Sequence, residues 1–340
     1  MGAQVSLGVV YGKGDMVTEL LRCMEDTKFP AYDLFLYTNH VSAIGETKET
    51  VYGKKTVKEF SVDAVSDDGC GLVIVSVNDL FSERFCPLLA NLQIVVIDMS
   101  SSFRSDPRAP LIVPEVNGQI LGGIQTGMII ASPNCTTSIA ALVLGPIAEK
   151  FGLRNVIISS YQAASGRGPR GMEHLRQELA NEPVTDKAFA HPLVCNVIPM
   201  IDSLVDNGYS LEEMKLVWEL EKIFIAEKVN VSATCVRVPT ERAHAMSLTI
   251  ETRTTVQASD VQELFKSSPG IKLIDDPARE LYPMPINSTS QLDVQVGRIR
   301  QSLVFKDKGI DLFICGDQLL RGGALNAINI AHRLVLENKK

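Results

Sequence analysis

Four runs rich in aliphatic residues, QVSLGVVYG, DLFLYTN, GLVIVSVN and LQIVVIDMSSS, fall between residues 4 and 102 and constrain the fold more than any other feature. Short continuous Val/Ile/Leu runs, unlike alternating ones, belong to strands covered on both faces. Between the first two lies DMVTELLRCMED, with apolar residues at helical spacing. Strand and helix in alternation predict a largely parallel sheet, doubly wound by helices.

This is an α/β scaffold of the Rossmann-like, nucleotide-binding type. From Cys135 onward the character changes. TTSIAALVLGPIAEKFG reads as a long apolar helix, NVIISSYQAAS as a strand, GMEHLRQELAN and SLEEMKLVWELEKIF as helices. VNVSATCVRVP, AMSLTIETRT and GIDLFICGD follow as strands, with a helical stretch near VQELFKSS and an amphipathic helix at ALNAINIAHRLVLEN. Grouped strands with fewer interleaved helices predict an α+β second domain, one sheet face of which is a candidate dimer interface. The expected division is a dinucleotide-binding domain over 1–133 and a catalytic and dimerisation domain over 134–319.

Charge narrows the possible partners. With 33 basic against 40 acidic residues the net charge is −7, which argues against a nucleic-acid surface, whose affinity rests on Lys and Arg neutralising phosphates. The start, MGAQVSLGVVYGKGDM, lacks the basic end and uninterrupted apolar core of a signal peptide, and no stretch approaches 18 apolar residues. A cytoplasmic protein without a membrane partner is expected. Seven scattered cysteines without CxxC spacing suit reduced thiols, and five histidines without HxxxH pairs predict no metal.

Two glycine-rich loops are candidates for ligand binding. GVVYGKGDMV, residues 8–17, lies between the first strand and helix, with Gly12 and Gly14 in place but Val17 where a third glycine would complete a dinucleotide fingerprint. Its backbone N–H groups would meet a pyrophosphate at the helix N-terminus. Asp15 would repel the same phosphates, and it equally suits a plain N-cap. GRGPRG, residues 166–171, matches G-x-G-x-x-G by letter, but no acidic residue follows about 20 positions on, so no second dinucleotide fold is expected.

ASPNCTTSIA, residues 131–140, sets Cys135 between a Pro-Asn turn and a helix. There a helix N-terminus favours the thiolate, although a buried packing cysteine is the commoner reading of such a residue alone. DMSSSFRSDPRAPLIVPEVN, SPNCTT, YQAASGRG, NVIPMID, EEMKLVWELEK, RVPTERAH and GDQLLRGGALNAINIA together resemble the aspartate-β-semialdehyde dehydrogenase family, in its order and approximate spacing. The resemblance makes Cys135 the nucleophile that forms an acyl-enzyme, His244 the acid/base and Gln162 the residue orienting the acyl group. It makes Arg237 the guanidinium gripping the substrate carboxylate, and Arg104 and Lys222 the phosphate ligands. Glu219, on the helix face of Lys222, is a candidate partner of the substrate ammonium, with a solvated Glu/Lys pair as the alternative, and Asn134 is a candidate donor to the acyl oxygen. The resemblance places Gly12, Lys13, Gly14, Asp15, Ser42, Ser165, Gly166 and Gln318 at the cofactor. It further implies NADP as coenzyme, with NAD not excluded, a homodimer, a last helix (320–340) returning to the first domain, and a role in aspartate-family amino-acid biosynthesis.

Departures from the family's pattern gather at the cofactor. Tyr11 and Val17 replace glycines, Asp15 replaces a small neutral residue, and Val41 stands where an arginine for the ribose 2′-phosphate is usual, beside a retained Ser42. His40 is a poor substitute when uncharged. Ala243 replaces a glycine, Met200 a histidine and Gln318 an asparagine. Two competing readings follow: a paralogue that lost its dinucleotide and serves as a binding or subunit-partner protein, and an acyl-phosphate reductase for a related substrate. Glu219 with Arg237 suits a free α-amino acid and counts against acetylated substrates.

Overall fold

The computed structural model describes residues 5–12, 14 and 16–337. Lys13 and Asp15, both expected at the cofactor, lie outside the described residues. The chain divides into two compact units, Met1–Pro133 with Gly323–Lys340, and Asn134–Gly322.

The first unit is built on seven strands: β1 (Ser6–Tyr11), β2 (Asp33–Thr38), β3 (Thr47–Lys48), β4 (Lys55–Glu59), β5 (Leu72–Ser76), β6 (Val95–Asp98) and β7 (Ile129–Ala131). Their order is β3-β4-β2-β1-β5-β6-β7, and every pairing is parallel except that of the two-residue edge strand β3 with β4. The helices are α1 (Met16–Asp26), α2 (Val62–Asp67), α3 (Asp79–Asn91) and the short α4 (Pro114–Asn117). The chain runs outward from β1 in one direction to β2, then from β1's other neighbour β5 to β6. Right-handed crossovers in opposite directions put α1 and α3 on opposite faces, so the sheet is doubly wound. The β1/β5 boundary, where the order reverses, is the crevice in which such sheets take ligands.

The second unit carries a mixed sheet of β8 (Leu153–Gln162), β9 (Asn230–Arg237), β10 (His244–Thr252), β11 (Ile271–Leu273), β12 (Val294–Gln301) and β13 (Gly309–Gly316) in the order β11-β12-β13-β10-β8-β9. Its helices are α5 (Cys135–Phe151), α6 (Gly168–Leu179), α7 (Leu211–Ile223), α8 (Ala258–Lys266) and the short α9 (Pro285–Ser288). α5, α7 and α8 pack on the sheet, and the side chains of β8 that alternate inward, such as Val156 and Ile158, are buried there. On the other face Ile157 and Tyr161 are exposed, with Tyr161 stacked on Phe313 at 6.1 Å. A final helix, α10 (Leu325–Glu337), packs on α1 and α4 of the first unit. Among the described residues no helix is long and apolar enough to cross a membrane, and no His/Cys/Asp/Glu group has the makings of a metal site.

Candidate active site

Cys135 is the first residue of α5, immediately after the N-cap Asn134. That is where the partial positive charge of a helix end favours an anion. The Asn134 side-chain oxygen accepts from the Thr136 N–H at 2.9 Å, which fixes the turn. Gly322 explains the other wall. A Cβ there would lie 2.7 Å from Cys135 Cβ and 2.9 Å from its carbonyl oxygen, so only glycine lets the 317–322 turn lie against the cysteine backbone.

The remaining candidates of the second unit gather on one end of its sheet. Gln162 ends β8, Arg237 ends β9, and His244 opens β10, all three buried. The His244 ring is fully buried; its Nδ1 accepts a hydrogen bond from the Ala163 N–H at 3.1 Å, and its Nε2 meets no partner. Burial first, and the Arg237 charge second, lower its pKa to about 3. The ring is therefore neutral at physiological pH. Because Nδ1 accepts, its one proton is assigned to Nε2, and the ring offers an N–H donor from a buried position.

Arg237 is only 3% exposed. One amino group donates to the Ala163 carbonyl at 2.5 Å, the guanidinium lies over Phe189, and no carboxylate forms an ion pair with it among the described residues. Burial is the main cause of a pKa lowered to about 10, opposed in part by the Glu212 charge. Buried charges are ordinarily paired in direct contact, so the open contact position points to an anionic ligand. Arg237 also lines a cavity of about 330 Å³ with Arg167, Phe189, Ile198, Met200 and Asp202.

Three expected roles meet a different arrangement. The Asn134 amide, expected to donate to an acyl oxygen, instead donates to both oxygens of Glu212 at 3.3 Å. Glu219, expected to hold a substrate ammonium, accepts the Asn134 backbone N–H at 2.7 Å. It lies on α7 with Lys222, and is itself buried. Gly166, expected at the cofactor, has a nearer reason to be glycine: a Cβ would lie 2.5 Å from the Arg237 guanidinium. Ser165 and Gln318 are both buried and hydrogen-bonded to each other.

Glu212 escaped the sequence reading. At 7% exposure it accepts from Asn134, from Gln162 at 3.3 Å and from Lys215 at 3.4 Å, and Lys215 also reaches Asp202 at 3.0 Å. One carboxylate thus holds two of the candidate amides. Its only sequence signal was a position in the acidic first turn of α7, where it reads as an ordinary helix-start residue.

In the first unit, Arg104 donates through Nε to the Ser132 carbonyl and through an amino group to that of Met99, both at 3.0 Å. The Gly12 N–H bonds to the Ser76 carbonyl and so extends the β1–β5 ladder. Gly14, at φ +136°, has open space where a side chain would be and a backbone that favours glycine. At the end of β2, Val41 is 81% exposed and Ser42 Oγ bonds His40 Nδ1 at 2.9 Å. The reversal at β1/β5, with Gly14 in the loop that follows β1, fits a dinucleotide. The ribose end after β2 has no guanidinium in the arginine position.

Two family descriptions match the chain. "Semialdehyde dehydrogenase, NAD binding domain" matches residues 6–123 and "Semialdehyde dehydrogenase, dimerisation domain" matches 144–321. These define the class, a semialdehyde dehydrogenase, which is an oxidoreductase using a dinucleotide. The aspartate-semialdehyde dehydrogenase of Bacillus subtilis is 37% identical over 98% of each chain, and that of Aquifex aeolicus 35% over 99% of each. The crystal structure of Vibrio cholerae aspartate semialdehyde dehydrogenase II complexed with ASA is 31% identical, with a TM-score of 0.91 over 98% of this chain and 99% of that one. The chain belongs to the aspartate-semialdehyde dehydrogenase family.

Proposed function

We propose that the protein reduces L-aspartyl 4-phosphate to L-aspartate 4-semialdehyde and phosphate with NADPH, by way of a thioester on Cys135, in aspartate-family amino-acid biosynthesis. The observation that carries this reading is Arg237, a buried guanidinium bonded to a carbonyl and paired with no carboxylate among the described residues. An α-carboxylate supplies that partner in bidentate form.

The Cys135 sulfur, as thiolate, attacks the acyl carbon; the C–S bond forms, the C–O bond to phosphorus breaks, and phosphate leaves with the bonding pair. Arg104 and Lys222 are the cations assigned to that phosphate. A nicotinamide dinucleotide, which the loop after β1 with Gly12 and Gly14 would hold, would supply the hydride for the thioester. His244 donates a hydrogen bond from its Nε2–H to the oxyanion so formed and keeps the proton, so that the oxyanion itself collapses to the aldehyde. The C–S bond then breaks with its electrons returning to sulfur, and the aldehyde is released. Gln162, held by Glu212, orients the acyl group.

The protein acts in the cytoplasm as a homodimer, for which the open sheet face bearing Ile157, Tyr161 and Phe313 is the contact surface. The test is phosphate-dependent reduction of NADP and, separately, NAD by L-aspartate 4-semialdehyde, with Cys135→Ala as control. Turnover that survives Cys135→Ala would overturn the thioester. A folded protein that neither turns over nor binds either dinucleotide would establish the non-enzymatic paralogue instead.

A further inference from the structure

The peptide that leads into His244 is held in an unusual way. Ala243, wholly buried, has φ +70°, the left-handed region that an alanine side chain disfavours and a glycine occupies freely. Its N–H, out of contact with solvent, donates to Gln318 Oε1 at 3.0 Å. The other end of the same amide donates to the hydroxyl of buried Ser165.

Ser165 belongs to a turn that is itself fastened alongside. The Ala164 and Ser165 N–H groups donate to the Thr240 and Glu241 carbonyls at 2.8 and 3.0 Å. The same turn begins at Ala163, whose N–H sets the His244 ring through Nδ1. Gln318 therefore ties together the two segments that determine where the imidazole sits: the strained peptide behind it and the turn that orients its ring. The neighbouring Asp317 anchors this from below, its carboxylate accepting from Arg242 at 2.7 Å and from the Leu319 N–H at 3.0 Å.

We propose that Gln318 is a positioning residue for His244, acting through the Ala243 peptide and the Ser165 turn, and that this coupling exists because position 243 is alanine. The amide spans both partners at once, so an asparagine, one methylene shorter, cannot hold both. With glycine at 243 the positive φ needs no external restraint. The inference rests on His244 acting in the proposed reaction.

The experiment is a double-mutant cycle of Gln318→Asn and Ala243→Gly, read by steady-state kinetics in the reverse direction and by fluorescence titration of NADPH. Gln318→Asn is expected to lower kcat about 10- to 100-fold, the scale of a small misplacement of a reacting group, with KM for the semialdehyde and the NADPH dissociation constant within about twofold of the parent, because a group that only positions His244 contributes little to ground-state binding. In the Ala243→Gly background the same substitution is expected to cost less than about threefold, because the pair is coupled. Equal losses in both backgrounds would overturn the proposal, and so would a loss accompanied by weaker NADPH binding, which would make Gln318 a cofactor ligand. If Gln318→Asn fails to fold, Ser165→Ala, which removes only the acceptor of the amide, replaces it in the same cycle. His244→Ala separates the two readings: full activity there refutes the proposed role of His244, whereas a crippled His244→Ala with an unaffected Gln318→Asn refutes the clamp alone.

Discussion

Replacing Arg237 by methionine should strengthen the ligand-free fold while disabling the site. The guanidinium falls from 12.5 to about 10, chiefly by burial, and each tenfold in acid dissociation is worth about 1.4 kcal/mol. Its charge therefore costs the native state on the order of 3 kcal/mol at neutral pH, where it is ionised in both folded and unfolded chains. Methionine removes that cost and retains contact with Phe189, but it forfeits the bond to the Ala163 carbonyl, about 1.5–3 kcal/mol for a charged donor. The net expectation is a change between neutral and about 2 kcal/mol stabilising, in keeping with other buried charges replaced by apolar groups. Urea denaturation of the ligand-free protein measures it. The parent should gain stability on adding L-aspartate 4-semialdehyde and the variant should not, since only a ligand that binds the native state shifts unfolding. KM for the semialdehyde should rise at least 100-fold, the loss of about 3 kcal/mol of charge-assisted hydrogen bonding. A variant destabilised by more than about 1 kcal/mol, or one with unchanged KM, would refute the view of Arg237 as a charge awaiting its partner.

Gly322→Ala forces a methyl against the Cys135 backbone, so it should cost about 1–3 kcal/mol in stability and lower kcat about 100-fold; Gly123→Ala, with no atom within 4 Å of its added carbon, is the matched control in thermal melts. With its pKa lowered from 6.5 to about 3, His244 stays unprotonated in the fold while the unfolded chain takes up a proton. Its contribution is thus fully present above pH 6.5 and is lost as pH falls toward 3, by about 1.4 kcal/mol per pH unit, a slope that His244→Gln should remove from acid denaturation curves. Val41→Arg restores a guanidinium at the exposed position after β2; it should tighten NADPH about 10- to 100-fold relative to NADH in fluorescence titrations, the worth of a charge-assisted hydrogen bond to phosphate.

The parts of this molecule that could be read from the sequence are those whose cause is local. β1, β2, β5 and β6 announce themselves as continuous aliphatic runs because both faces are covered, and α5 because small and apolar residues follow a Pro-Asn turn. β12, in contrast, was missed: VQVGRIRQ carries Gly297, two arginines and a register shift between Gly297 and Arg300, so its period is broken where the strand bulges. β3 and β4 are mostly polar and sit at the sheet edge, without the apolar pattern of a central strand. At the site, Cys135, Arg237 and His244 stand out by residue type and setting. Glu212 does not: in SLEEMK the Ser210-x-x-Glu213 spacing singles out Glu213 as a capping-box residue and leaves Glu212 an ordinary helix-start acid. Only the tertiary structure gives Glu213 the Cys235 N–H, and Glu212 the amides of Asn134 and Gln162.

The unfavourable features of the second unit share one location, and this bears on what the unit is built to receive. Among the described residues, a buried guanidinium with Glu212 acting on its charge but no carboxylate in ion-pair contact, a buried imidazole nitrogen without an acceptor, and an alanine in the left-handed region occur within eight residues of one another in the chain, at one end of one sheet. Each costs the fold on the order of 1–3 kcal/mol; Gln318 holds the strained alanine peptide, while the first two have no direct ion-pair or acceptor partner among the described residues. Proteins violate local rules where function requires it. The guanidinium lacks a bidentate anion and the imidazole lacks an oxygen to accept its hydrogen bond. A single ligand with a carboxylate and an acyl oxygen a few bonds apart satisfies both, which an activated β-acyl amino acid has and a protein partner docking on the surface would not bring to buried atoms. That complementarity separates an enzyme's site from a relic one. A scaffold freed from catalysis would be stabilised by substitutions such as Arg237→Met, yet this chain retains the destabilising residue.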